Sequence, residues 1–247
     1  MIEFSGQAIL LDIEGTTSSI RFVYDEMFPF VRRELAGFLV SNWESAEVRA
    51  ACNVIATDAG HTSLATWCGD ADHTAARQLV SKEVIRLMDG DIKATGLKQL
   101  QGLIWRSGFV SGELRAHVYD DVPPALNAWH DAGMDLRIYS SGSIAAQRLF
   151  FGHTIVGDLL PLLNGHYDTT TGPKKEPSSY TDISNAFGRE PADILFLSDV
   201  VAETAAACQA GMQTALCLRP GNAEPPSDHD FVTIREFGEI RCTAKTS

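Results

Sequence analysis

Positive charge is scarce in this sequence: Lys and Arg number 20 against 32 Asp and Glu, for a formal net charge of −12 and a pI near 4.9. So acidic a surface argues against nucleic acid and anionic membrane as partners, while leaving room for a local site that takes a small anion. Cysteine is sparse too. Cys52, Cys68, Cys208, Cys217 and Cys242 are scattered, odd in number and form no C-x-x-C. That excludes a disulfide framework and a zinc ribbon, and predicts free thiols in a reducing, cytoplasmic compartment. No apolar run approaches the ~18 residues that suggest a membrane span. No basic stretch precedes an apolar one at the N-terminus, so no signal peptide is expected. H-E-x-x-H, G-x-G-x-x-G, a Walker glycine loop and the G-x-S-x-G elbow are all absent.

What is present is a change of rhythm along 247 residues. "QAILLDI" (7–13) is a short apolar run without alternation, the pattern of a strand buried on both faces. From Phe22 to about Val118 apolar residues recur at helical spacing, as in Phe28, Val31, Leu35, Phe38 and Leu39, or Leu79, Val80, Val84, Leu87 and Met88. After it, helices such as "PPALNAWHDAG" alternate with strands such as "MDLRIYSSGS", "DILFLSDV" and "TALCLRPG". This predicts an α/β fold with a doubly wound, mainly parallel sheet formed by residues 1–19 and 119–247, and an all-helical insertion at 20–118.

Three predicted strands end in polar residues: Asp12 with Glu14, Ser140 with Ser141, and Asp199. Ligands of open parallel sheets bind beyond the carboxyl ends of the strands, so neighbouring strands bring these groups together. Clustered carboxylates repel one another unless a cation lies between them, and a few hard oxygens favour magnesium. A carboxylate there can attack phosphorus, and serine hydroxyls with turn N–H groups can hold phosphate oxygens. "TTGPKKEPSSY" supplies Lys174 and Lys175 to balance the charge. Each element alone has a plainer reading. Asp12 suits a helix cap as well as a nucleophile, the lysines suit solvent, and Glu203 reads as a charge on a helix face. The ordered set, strand-D-x-E-G-T, strand-S, loop-K, strand-D, outweighs those readings.

At these residues the sequence resembles the haloacid-dehalogenase superfamily of aspartyl-phosphate phosphatases. With Asp-x-Glu in "LLDIEGTTSSIRFVYDEMFPF", and with "IYSSGSIAAQRLFFGHT", "GPKKEPSSY", "ILFLSDVVAE" and "LCLRPGNA", it is similar to the enolase-phosphatases of methionine salvage. The resemblance implies a haloacid-dehalogenase-like core with a helical cap that closes over the substrate. It implies enolisation and dephosphorylation of 2,3-diketo-5-methylthiopentyl-1-phosphate to an acireductone. It makes Asp12 the nucleophile, Glu14 the general acid and base, and Ser140, Ser141 and Lys174 the phosphate-binding groups. One Mg2+ per subunit would be held by Asp12, Glu14 and Asp199. A monomer acting on a small phosphorylated diketone is expected. A phosphatase for another small ester, and a receiver-like phosphoacceptor that does not turn over, are the alternatives.

Overall fold

The structure is a computed structural model that describes residues 1–243; the last four residues of the expected core segment, 244–247, lie outside the described residues. It divides into two compact units, Met1–Val23 with Arg115–Ser247, and Tyr24–Leu114.

The first unit is built on a six-stranded sheet in the order β4-β3-β2-β5-β6-β7, and every pairing in it is parallel. Its strands are β2 (Ala8–Leu11), β3 (Asp135–Tyr139), β4 (Gly165–Tyr167), β5 (Ile194–Ser198), β6 (Gln213–Cys217) and β7 (Thr233–Ile234). A separate parallel pair joins β1 (Ile2–Phe4) to β8 (Ile240–Cys242). β2 and β5 are central and covered on both faces, so all of "AILL" and "ILFLS" is buried. The connecting helices are α6 (Val122–Asp131), α7 (Ile144–Gly152), α8 (Pro177–Phe187) and α9 (Val201–Gln209). α8 starts on Pro177, whose fixed φ and missing N–H suit a first turn, and stops at Gly188 with φ +67°.

The chain builds outward from β2 to β3 and β4, then returns to β5 and proceeds the other way through β6 and β7. The strand order therefore reverses between β2 and β5, where doubly wound sheets open a crevice at their carboxyl ends. Leu11 is level with Ile138 on one side and Leu197 on the other, and β3 and β5 each run one residue further.

The second unit is helical: α1 (Phe28–Asn42), α2 (Ala46–Asp58), α3 (Leu64–Cys68), α4 (His73–Asp89) and α5 (Thr95–Ser111), preceded by a π-helical turn at Phe22–Met27. Val31, Leu35 and Leu39 of α1, Cys52 and Ile55 of α2, and Leu100 and Ile104 of α5 are buried. α5 approaches α2 so closely that a Cβ on Gly96 would overlap the Ile55 backbone. Among the described residues, no helix is long and apolar enough to cross a membrane.

Candidate active site

Asp12 is the residue after β2, and its N–H still donates to Leu197 O at 3.0 Å. The chain then leaves strand geometry. The N–H groups of Thr16, Thr17 and Ser18 all converge on Ile13 O, at 3.2, 3.0 and 2.9 Å. Gly15 has φ +71°, a conformation that side chains with a Cβ disfavour. A Cβ there would also overlap the Asp199 carboxylate. Glycine is thus required twice, by the backbone and by the approach of the acid that follows β5.

Asp12 is 5% exposed and Lys174 8%, and they form an ion pair of 2.6 Å through Asp12 Oδ1. The Ile13 N–H donates to the same oxygen at 2.7 Å. Lys174 Nζ lies equally close to Glu203 Oε2, at 2.6 Å. Lys175 is exposed. The lysine loop is pinned from below: Tyr139 OH donates to Gly172 O, Ser179 Oγ to Pro173 O and Tyr180 OH to Lys174 O, at 2.8, 2.8 and 2.7 Å. Burial pulls the Lys174 pKa down, but the charges of Asp12 and Glu203 outweigh it and hold the ammonium protonated.

One ammonium cannot satisfy the acids around it. Burial, then the Asp12 charge, lifts Glu203 to about 7; burial, then Asp12 and Glu203, lifts Asp199 to about 7. With all three carboxylates ionised against Lys174, two negative charges are left over, the charge of one divalent cation. Among the described residues no group of three or more His, Cys, Asp or Glu is gathered to hold a metal. Of the expected ligands, Asp12 and Asp199 are close enough for the charge of one to raise the other, and Glu14 follows Asp12 by two residues in the turn. Two-residue spacing puts side chains on one face only while the chain stays a strand, and here the turn begins at Ile13. Asp12 and Asp199 are coupled through their charges, and magnesium takes one or two carboxylates with water completing its shell. Glu14 is half-buried in the turn, its backbone bridged to Ser18.

Ser140 follows β3 and is buried, whereas Ser141 is exposed. Their loop is braced by Gln147, which is 1% exposed and whose Nε2 donates to both Gly142 O and Tyr167 O at 2.8 Å. Both partners are pure acceptors, so the amide orientation is fixed and Oε1 faces His166 Nδ1 at 3.2 Å. Nδ1 therefore carries the proton. Burial, with Arg148 nearby, pushes His166 down to about 4, so the ring is a neutral donor. His166 does not reach the carboxylates; it steadies the serine loop through Gln147.

The "RPGN" segment after β6 reaches back to the turn after β2. Arg219 Nε donates to Thr16 O at 2.9 Å, and its Nη1 to Asp121 Oδ1 and Arg235 O at 2.9 and 2.8 Å. The Tyr119 and Phe237 rings flank the guanidinium at 4.7 and 4.5 Å. Asn222 Nδ2 donates to Gly15 O at 2.8 Å and to Asp199 Oδ2 at 3.0 Å.

The carboxyl ends of β2 and β5 and the lysine loop thus bring Asp12, Lys174 and Asp199 together, with Ser140 after the adjacent β3. Sequence reasoning passed over Glu203, Gln147, Arg219 and Asn222 as site residues. For Glu203 a signal exists: it shares a helix face with Ala206 and Ala207, three and four residues on, which are buried.

Residues 7–211 match the haloacid dehalogenase-like hydrolase family. The chain is 43% identical over 239 residues to Enolase-phosphatase E1 of Drosophila mojavensis, covering 96% of each protein. It is 45% identical over 240 residues to Enolase-phosphatase E1 of Sorangium cellulosum, covering 97% of this chain and 99% of that one. The crystal structure of the UTR4 protein of Saccharomyces cerevisiae superposes with a TM-score of 0.78 at 30% identity, covering 94% of this chain and 98% of that one. With that similarity along its length, and with a buried Asp–Lys pair at the strand ends, the chain is a phosphatase belonging to the haloacid dehalogenase-like hydrolases and, within them, to the enolase-phosphatase E1 family.

Proposed function

We propose that this enzyme takes 2,3-diketo-5-methylthiopentyl-1-phosphate, enolises it, and then releases phosphate to give the acireductone 1,2-dihydroxy-3-keto-5-methylthiopentene. The observation that carries the reading is the buried Asp12–Lys174 pair, set at the end of β2 between the ends of β3 and β5. The kinship with proteins named enolase-phosphatase selects the substrate.

Asp12 is the nucleophile. Its carboxylate attacks phosphorus, the phosphorus–oxygen bond to the enol breaks, and an aspartyl-phosphate forms. Lys174 pairs with Asp12 at 2.6 Å and faces the charge on the transferring group. Ser140, Ser141 and the N–H groups of their turn hold the phosphate oxygens. Glu14 gives its proton to the departing enol oxygen, then takes one from the water that cleaves the aspartyl-phosphate, returning Asp12 and releasing inorganic phosphate. Enolisation comes first and moves a proton from the carbon beside the carbonyl to the carbonyl oxygen. Asp12 and Asp199, with Glu14 beside them, would hold one Mg2+, which would supply positive charge opposite the oxygens that gain negative charge in the two reactions. Residues 1–19 and 119–247 form the catalytic core of this reading, and 20–118 its helical cap.

The test is phosphate release from the diketo ester, with magnesium and with chelator, followed alongside ultraviolet absorbance of the enol. The expected result is magnesium-dependent enol formation followed by phosphate, with no phosphate from Asp12→Asn. Release from simpler esters alone points to another substrate. Phosphate release at the wild-type rate by Asp12→Asn removes the nucleophile.

A further inference from the structure

The "RPGN" segment is absorbed by none of the steps above, yet it makes two side-chain bonds to the turn that follows Asp12 and one to Asp199. Arg219 binds the carbonyl of Thr16 and Asn222 that of Gly15, so two successive peptide groups are held from one loop. Asn222 does more than hold backbone. Its Nδ2 is shared between the Gly15 carbonyl and the Asp199 carboxylate. Since the Gly15 carbonyl only accepts, the amide cannot be reversed, and Oδ1 is the atom left over. That oxygen is buried and has no hydrogen-bond partner. A buried acceptor without a protein donor calls for an explanation, and a bound water or ion is one of them. Beside a carboxylate proposed to hold magnesium, a water of the ion's shell is a fitting donor, because magnesium gives up its waters reluctantly.

We propose that Asn222 is a positioning residue for magnesium: Nδ2 fixes the orientation of Asp199 and the Gly15 turn, and Oδ1 accepts a hydrogen bond from water on the ion. This rests on the reading that Asp12 and Asp199 hold magnesium. Partners that orient a ligating carboxylate typically govern metal affinity by ~10–100-fold. Gly15 belongs to the same device. A Cβ there would overlap Asp199 and crowd Asn222 Nδ2 at 2.9 Å, so the three groups fit only without one.

The experiment is calorimetric titration of the full chain with magnesium alone, no substrate present, for wild type, Asp199→Asn, Asn222→Leu and Asn222→Ser. The expected result is that Asp199→Asn abolishes binding and Asn222→Leu weakens it by ~10–100-fold. Asn222→Ser, which keeps a hydroxyl and leaves room for water, recovers part of the loss. Activity of Asn222→Leu returns toward wild type as magnesium is raised, with KM for the ester unchanged. A magnesium Kd within about threefold of wild type in both Asn222 variants overturns the proposal, even if their Tm is lower, because that pattern is a loop tie and nothing more. If Asn222→Leu does not fold, Asn222→Ala, which removes the amide without adding bulk, takes its place under the same criterion. Absent binding by wild type, or undiminished binding by Asp199→Asn, overturns the magnesium reading itself and this inference with it.

Discussion

In the sheet unit, charge is buried and bonded: Lys174 between Asp12 and Glu203, and Arg219 between Asp121 and two carbonyls. In the helical unit, among the described residues, the buried polar side chain is Gln101, and ion pairs such as Arg32–Asp89, Arg33–Glu113 and Arg106–Glu47 lie at the surface. Exposed pairs are screened and contribute little. Buried ones carry a large desolvation cost and persist where chemistry needs them. The same kinds of side chain therefore mean different things in the two units, and the contrast can be attacked experimentally.

The largest effect is expected at Lys174. Lys174→Met leaves Asp12 and Glu203 buried without their cation, at a cost of about 3–5 kcal/mol in the metal-free protein near pH 8. The loss shrinks toward pH 5 as Glu203, raised to about 7, takes up its proton, and phosphatase activity disappears at every pH. Thermal unfolding in chelator across that range checks it; a uniform small loss would mean that the pair is not strongly coupled.

Two glycine substitutions separate the units. Gly15→Ala forces a Cβ at φ +71° into the Asp199 carboxylate. It should lower phosphatase activity at least tenfold and weaken magnesium binding in proportion. Gly96→Ala pushes against the Ile55 backbone where α5 meets α2, costing about 1–3 kcal/mol. Its expected signature is a lower Tm without a change in magnesium Kd. A shared signature would erase the distinction between site and packing.

Acidity offers a gentler test. In the unfolded chain the carboxyls of Asp199 and Glu203 titrate at 3.8 and 4.5, and in the fold both are raised to about 7. The fold thus holds these protons more tightly. Their contribution to stability is fully present below about pH 4 and is lost as pH rises through about 7. Metal-free protein should lose Tm over that interval, and magnesium, which requires the ionised acids, should restore it at the upper end. His166, lowered from 6.5 to about 4, acts in the opposite direction. His166→Gln should therefore steepen the fall.

The sheet was legible because "AILLD" and "ILFLSD" break from apolar to acidic at a strand end, and a break in pattern survives without any tertiary knowledge. The short strands were not legible. "GHY" of β4 and the two residues of β7 are too brief to show a period. α2 escaped for another reason: its buried face is Val48, Ala51, Cys52, Ile55 and Ala56, correctly spaced but made largely of small residues with weak hydropathy. In the site, Asp12, Ser140 and Asp199 stood out by position. Lys174 could not be separated from Lys175, since only burial divides them. Gln147 and Asn222 gave no signal, because their roles consist of bonds to backbone carbonyls of distant segments.

The smallest expected effect has the opposite sign. Gly37 lies inside α1, exposed, and a Cβ there meets nothing within 4 Å. Its glycine contributes no turn, no close approach and no positive φ, so it brings only the entropy cost of ordering a flexible residue. Gly37→Ala should stabilise the protein by about 0.5–1 kcal/mol, read as a rise of a few degrees in Tm at most. Phosphate release should be unchanged. The same substitution then cuts activity at Gly15, loosens packing at Gly96 and strengthens a helix at Gly37. Three different outcomes from one added methyl group would show that the closeness of the surroundings, and not the residue type, sets what a glycine does. A drop in activity for Gly37→Ala would mean instead that the exposed face of α1 takes part in the reaction.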